Sequence, residues 1–429
     1  MRAWLLPGLG LVLLAVVTAQ QLTHIPGMPG IRLFVALGAV GVVAYAAATV
    51  LILRGGAPAG SLAFILVTAA LMRVAPLAAP AFLSSDLYRY VWDGRVQNAG
   101  INPYRYIPSA PELAPLRDDA VYPLINRSDY APTIYPPVAQ AIFAAIAAIW
   151  PSPAAVKAAM LGFEGVAVLV MLRLLRLAGL PRERVLLYAW QPLWPWEYAG
   201  SGHVDAAAMA FIGLAVLAVA RRRDGWAGVA LSAAVMVKLL PVVLVPALWR
   251  ARGWRMPVAG LACLAVGYGA YASVGLGMFG FLGGYANEEG LSSGGGILPV
   301  QLLALLVDPP KWAGVAWLLL AAAALAVLAL AMVRAPEPSD PAPRLRRIGG
   351  DALLLGTVTT AAITPHYAWY FGWLAYLACL APWRCVLWLT AVCLLLYLAP
   401  VHTALGWSSL IYAPFLLLAI RDMRHTLPA

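Results

Sequence analysis

One apolar run follows another along this 429-residue chain, many of them about 17–24 residues long, with short polar turns between them. A helix rises about 1.5 Å per residue and satisfies its own backbone hydrogen bonds, so a run of that length can cross a hydrocarbon core about 30 Å thick. The pattern predicts an all-α, polytopic integral membrane protein: one helical bundle over residues 1–429, with no soluble domain interrupting it. Candidate spans are 4–19, 31–53, 61–80, 154–177, 184–201, 205–220, 255–276, 312–333, 348–363, 367–383, 386–400 and 404–420. The first run, behind Arg2, resembles a signal peptide in part, but with so many later spans it reads as an uncleaved first helix.

Hydrophobic residues make up 63% of the chain and charged ones 11%, so the net charge of +11 calls for no nucleic acid. Its Arg-rich clusters (173–184, 221–223, 250–255, 334–347 and 421–424) punctuate the spans as cytoplasmic loops do. Two apolar segments fit badly. Residues 136–150 are short for a span, and 226–249 carry Lys238 and Pro241 near the middle. Read as re-entrant or broken hairpins, they leave every basic cluster on one side. The 81–135 loop, the His203/Asp205 turn, the 277–297 loop and the Thr364-Pro365-His366 turn then share the outer, extracytoplasmic face. The four cysteines lack metal-ligand or disulfide-framework spacing and read as small packing residues.

The stretch Ser84 to Tyr106, SSDLYRYVWDGRVQNAGINPYRY, is dense in Asp, Arg, Tyr and Asn within a chain that is otherwise nearly all hydrocarbon. It follows the third apolar run and reads as the edge of an active site in an outer loop bearing short interfacial helices. A helix over 85–97 puts Asp86, Arg89 and Asp93 on one face and Tyr88, Trp92 and Arg95 on another. In that arrangement Asp86 can act as general base for an acceptor hydroxyl. Asp93 can orient it or bind sugar hydroxyls, and Arg89 or Arg95 can meet a phosphate. The plainer alternative is an amphipathic interfacial helix with a surface Arg89–Asp93 pair.

Further along, two prolines in Pro132-Thr133-Ile134-Tyr135-Pro136-Pro137 mark re-entry into the membrane, with Tyr135 able to line a site. Asn126-Arg127-Ser128 fits a glycosylation sequon of the kind common by chance. Ser201-Gly202-His203-Val204-Asp205 places two ionisable groups at membrane depth, as functional groups or as a helix cap. They are too few for a metal site. Lys238 can hold a lipid phosphate, pair with Glu164 or Glu197, or snorkel to the surface. His366, with Tyr367, Trp369 and Tyr370 beside it, can stabilise or protonate a departing phosphate; His24, His402 and His425 lack such company. The Gly-rich loop 283–296 reads as a lid, an acceptor loop or a linker.

Taken together, DLYRYVWDGRVQNAGINPY, TIYPP, SGHVDA and KLLP resemble the polyprenol-phosphate-sugar-dependent glycosyltransferases of the GT-C superfamily, bacterial mannosyltransferases above all. The similarity runs over most of residues 60–380. It implies a GT-C-like bundle in the bacterial inner membrane that transfers a sugar, mannose first among candidates, from a polyprenyl-phosphate carrier to an extracytoplasmic lipid or glycan acceptor with inversion. Asp86 matches the superfamily's first-loop catalytic Asp, with Asp93 as its partner, and His366 resembles a late outer-face His. The expected phosphate and lipid contacts are Arg89, Arg95, Lys238 and His366. Tyr90, Tyr135, His203, Asp205 and Tyr370 are expected near the donor sugar or acceptor. No cofactor is called for, and a divalent metal stays open. A transporter or lipid-linked-sugar flippase is the main alternative, although no internal repeat is evident and the charges cluster at one interface. A non-catalytic scaffold is a third.

Overall fold

The computed structural model describes residues 2–24, 30–55, 58, 60–250, 253–398 and 406–424; His402, His425 and the expected span ends at 399–405 lie outside them. The chain is 75% helix, with no strand among the described residues. Five of these helices are long and apolar enough to cross a membrane: Trp4–Thr23, Gly30–Leu53, Ser61–Ala78, Pro153–Leu177 and Ala313–Arg334. A sixth span is made if Arg255–Gly269 and Ala272–Glu288, bent by 109° to each other, count as one.

Several expected spans are therefore not single helices, and proline and glycine account for the difference. The run 184–201 breaks into a 3-10 turn, a four-residue helix and a π-helical turn at Pro195–Gly200, because Pro192 and Pro195 each remove a backbone donor. The run 255–276 ends as an α-helix at Gly269, and Gly275 then takes φ 57°, outside helical geometry. The run 367–383 is a 3-10 turn followed by the short helix Gly372–Ala378, bounded by Pro365 and Pro382. The run 386–400 tightens from α to 3-10 at Cys393. Between residues 226 and 249 the helix Asp224–Val237 stops at Lys238, which is extended (φ −153°, ψ 132°); a 3-10 turn and the short helix Val245–Trp249 follow.

Local sequence explains the intact elements. Ser152 accepts a hydrogen bond from the Ala155 amide at 3.2 Å and Pro153 fills the first helical position, so Pro153–Leu177 is capped at its start. This helix carries Glu164 to the middle of the bundle. There Glu164 takes two bonds from Arg73, at 3.0 and 2.5 Å, and one from Tyr188 at 2.9 Å. Arg73 also donates to the carbonyls of Ala69 and Ala189. A buried ion pair survives in such surroundings only when its remaining donors are met in this way.

The helix Asp86–Asn98 lies on the helix Pro137–Ile149 through Gly94, where a β-carbon would sit 2.3 Å from the Phe143 carbonyl oxygen. Gly94→Ala must push these helices apart. The expected cost is about 1–3 kcal/mol, typical of overpacking, read as a lowered unfolding midpoint in detergent. An unchanged midpoint would show that the contact yields freely.

Candidate active site

Asp86 opens the Asp86–Asn98 helix, where its charge complements the N-terminal dipole and its amide donates to Ser84 Oγ at 3.1 Å. The carboxylate is half-buried. Asn126 Nδ2 donates to its Oδ1 at 2.6 Å, while Oδ2 has no hydrogen-bond partner among the described residues. The turn that supplies Asn126 is strained, since Arg127 stands in the left-handed region at φ 54°. Arg127 donates from Nε to Glu288 at 2.7 Å, and Tyr130 donates to the other oxygen of Glu288 at 2.9 Å. Burial lowers the Arg127 pKa, but the hydrogen bond and charge of Glu288 outweigh it and hold the guanidinium protonated, above its ordinary value.

These groups face a cavity of about 320 Å³. Asp86, Asn126 and Arg127 line it, with Ser84, Ser85 and Ile134. Tyr90 and Tyr135, set edge to face at 4.9 Å, also line it. Lys238, Tyr285, Tyr367, Trp369 and Tyr370 complete the lining, with the Arg127 guanidinium 5.4 Å from the Tyr285 ring centroid. Lys238 donates to both oxygens of Asp205, at 2.8 and 2.9 Å, and lies 4.0 Å from the Tyr370 ring centroid. Its partner is thus Asp205, not Glu164 or Glu197. Tyr370 shares a 2.9 Å hydrogen bond with Tyr285. That bond ties the helix Leu282–Glu288 to the cavity wall, so residues 283–288 of the Gly-rich loop are folded onto the site. Gly280 makes this approach possible: its φ of 59° suits glycine, and a β-carbon there would overlap the Thr133 carbonyl.

Not every residue singled out in the sequence reaches this cavity. Arg89 and Asp93 form a buried ion pair, Nε to Oδ1 at 2.8 Å, away from the lining. Asp93 Oδ2 accepts from Thr133 at 2.5 Å and from Gln140 at 3.0 Å, and Arg89 also reaches the Ala131 carbonyl. This pair is neither exposed nor facing the cavity; it fastens the helix to residues 131–140. Arg95 pairs with Asp118 and with the Pro151 carbonyl on the loop side. Asp118 is held below the usual carboxylate range: burial raises its pKa, but the Val121 amide and Arg95 outweigh that.

His203 is fully buried, with Nδ1 3.0 Å from Glu197 Oε2, and its ring stacks on Trp369 at 4.1 Å. It therefore stands behind a wall of the cavity. Tyr397 donates to the other Glu197 oxygen at 2.5 Å. His366 lies 3.7 Å from Glu289 and is not part of the lining.

Asn126, Arg127 and Tyr285 join the cavity lining without a signal of their own in the sequence. The first two were visible only as part of a chance-like sequon, and Tyr285 only as one aromatic in a Gly-rich loop.

A family model for alpha-(1→6)-mannopyranosyltransferases, N-terminal domain, matches residues 5–252, more than half the chain. The chain belongs to this family. Membership supports glycosyltransferase activity, with a sugar donor and an acceptor as substrates. The matched region of the chain contains Asp86, Asn126, Arg127, Asp205 and Lys238, whereas Tyr285, Tyr367, Trp369 and Tyr370 lie beyond it. No curated protein and no solved structure matches the chain.

Proposed function

We propose that this protein is a GT-C-type enzyme of the cell membrane that moves mannose from a polyprenyl-phosphate carrier to a hydroxyl of a lipid or glycan acceptor on the extracytoplasmic face. The family's name points to the primary 6-hydroxyl of a mannose as the acceptor group and to an α linkage in the product. One observation carries the reading: a single carboxylate, Asp86, and two cations, Arg127 and Lys238, face one cavity whose walls are otherwise largely Tyr and Trp.

In this mechanism Asn126 holds Asp86 Oδ1, and Oδ2 takes the proton of the acceptor hydroxyl as its oxygen attacks the anomeric carbon. The bond from that carbon to the carrier phosphate breaks, and its electron pair leaves with the phosphate, inverting the centre. The leaving group gains negative charge, so preorganised donors are needed where that charge develops. Arg127 fits that role best. Glu288 occupies only its Nε, and the two Nη groups have no hydrogen-bond partner among the described residues. Lys238 gives two of its three donors to Asp205, so it contributes charge more than a free hydrogen bond. Tyr367 and Tyr370 offer aromatic surface to a sugar ring, with Trp369 held between the rings of Tyr367 and His203. His366 and Glu289 sit one layer out, and Asp93 and Arg89 act through the placement of Asp86.

The reading is tested by transfer from radiolabelled polyprenyl-phosphate mannose to a membrane-lipid extract, using purified protein in detergent. Labelled product is expected from this donor and not from a nucleotide-linked mannose. With the protein reconstituted into vesicles, donor carried across without product would replace the enzyme by a transporter. In the same assay Arg127→Gln removes a charge-assisted contact of about 1.5–3 kcal/mol, so turnover should fall about 10–100-fold. Unchanged turnover would remove Arg127 from the phosphate site.

A further inference from the structure

The helix Asp224–Val237 joins two polar places about 21 Å apart by its rise: its last residue leads into Lys238 and the cavity above, and its first turn opens on a second cavity of about 500 Å³. This second cavity lies between the starts of the helices Asp224–Val237 and Arg255–Gly269, and Arg222, Arg223 and Arg255 line it. All three guanidiniums are exposed and have no carboxylate or carbonyl partner among the described residues. Asp224 is the one acid in the lining.

The turn that gathers them is not the cheapest way to end a helix. Arg222 adopts φ 56°, a left-handed form that glycine takes without strain, while the Arg221, Arg222 and Arg223 amides close back on the carbonyls of the helix Asp205–Ala220. Beside the opening stand two indoles that project from the protein: Trp226 is 67% exposed and Trp254 79%. Indole rings favour the headgroup level of a bilayer, and arginine forks fit phosphate oxygens two at a time.

We propose that this cavity binds the phosphate headgroup of an anionic phospholipid, on the membrane face opposite the candidate active site. The proposal rests on the reading that the chain spans a membrane, and not on the transfer chemistry. A headgroup is favoured over a free phosphate because Trp226, Val229 and Ala259 supply an apolar wall to the same cavity, which acyl chains can cover and a soluble anion cannot. Each basic residue near an anionic surface contributes about fivefold to binding, so three contribute roughly a hundredfold.

The test measures binding of phosphatidylglycerol, phosphatidylcholine and glycerol phosphate to the full-length protein in detergent by native mass spectrometry. Phosphatidylglycerol should bind tightest, and Arg222→Gly/Arg223→Gln/Arg255→Gln should lower its affinity roughly a hundredfold. Arg173→Gln/Arg176→Gln, in another exposed basic cluster, should leave it unchanged. If the triple variant does not fold, Arg255→Gln alone, outside the capping turn, should cost about fivefold. Full binding by the Arg255→Gln or triple variant, an equal loss in the control pair, or equal binding of phosphatidylcholine would overturn the site. Glycerol phosphate binding as tightly as the lipid would overturn the headgroup assignment. Asp86→Asn protein should bind phosphatidylglycerol as wild type does, so failure of the transfer reading and failure of this one are separately visible.

Discussion

Asp86→Asn should lower mannosyl transfer about 10²–10⁴-fold, the contribution of a general base, while leaving the fold intact. The amide keeps nearly the volume of the carboxylate and can still meet Asn126 after a flip of one side chain. The half-buried position removes no buried charge pair, so stability should change by no more than about 1 kcal/mol. The loss should fall on turnover rather than on donor binding, because the base acts only as the proton leaves the acceptor. A folded Asp86→Asn protein with full transfer activity would sink the assignment. A weaker donor affinity with unchanged turnover would recast Asp86 as a sugar-binding group.

Asp93→Ala should behave in the opposite way. Seven residues along the same helix, Asp93 is 1% exposed and accepts from Arg89, Thr133 and Gln140, and Arg89 itself is 4% exposed. Removing the carboxylate leaves a buried guanidinium uncompensated, a loss of about 3–5 kcal/mol. Thr133 and Gln140 lose an acceptor at the same time, though they keep their bond to each other at 2.7 Å. The expected result is a large drop in the thermal midpoint in detergent. Transfer by the fraction still folded should be reduced only as far as Asp86 is displaced. Asp93→Asn retains part of the hydrogen bonding and should be intermediate in stability. An Asp93→Ala protein as stable as wild type yet inactive would make Asp93 a reacting group and end its role as a fastener.

The two acids show where a reading of residues alone stops. Helical spacing places Asp86, Arg89 and Asp93 on one face, and the helix Asp86–Asn98 with its Arg89–Asp93 pair follows from local geometry. Which of those side chains meets a cavity and which meets residues 131–140 depends on how the helix rolls against its neighbours. That roll is set in part by Gly94 lying against the Phe143 carbonyl, a contact between residues far apart in sequence.

What the sequence by itself determined is everything that depends on short-range periodicity and composition. It contained the all-helical class, the five long apolar helices, the polar helix after the third apolar run and the family resemblance. Tertiary structure decided what depends on chain segments meeting. Asn126 comes back over 40 residues to hold Asp86, Asp205 and not Glu164 or Glu197 takes Lys238, and Tyr285 bonds Tyr370 from 85 residues away. It also decided which apolar runs stay whole, since Pro192, Pro195 and Gly275 end helices whose hydropathy alone reads as continuous. Hydrophobicity counts carbon and is blind to a missing amide or a permitted left-handed turn. Hydrogen bonds and ion pairs reach only about 3 Å, so their partners are known only once the packing has brought them together.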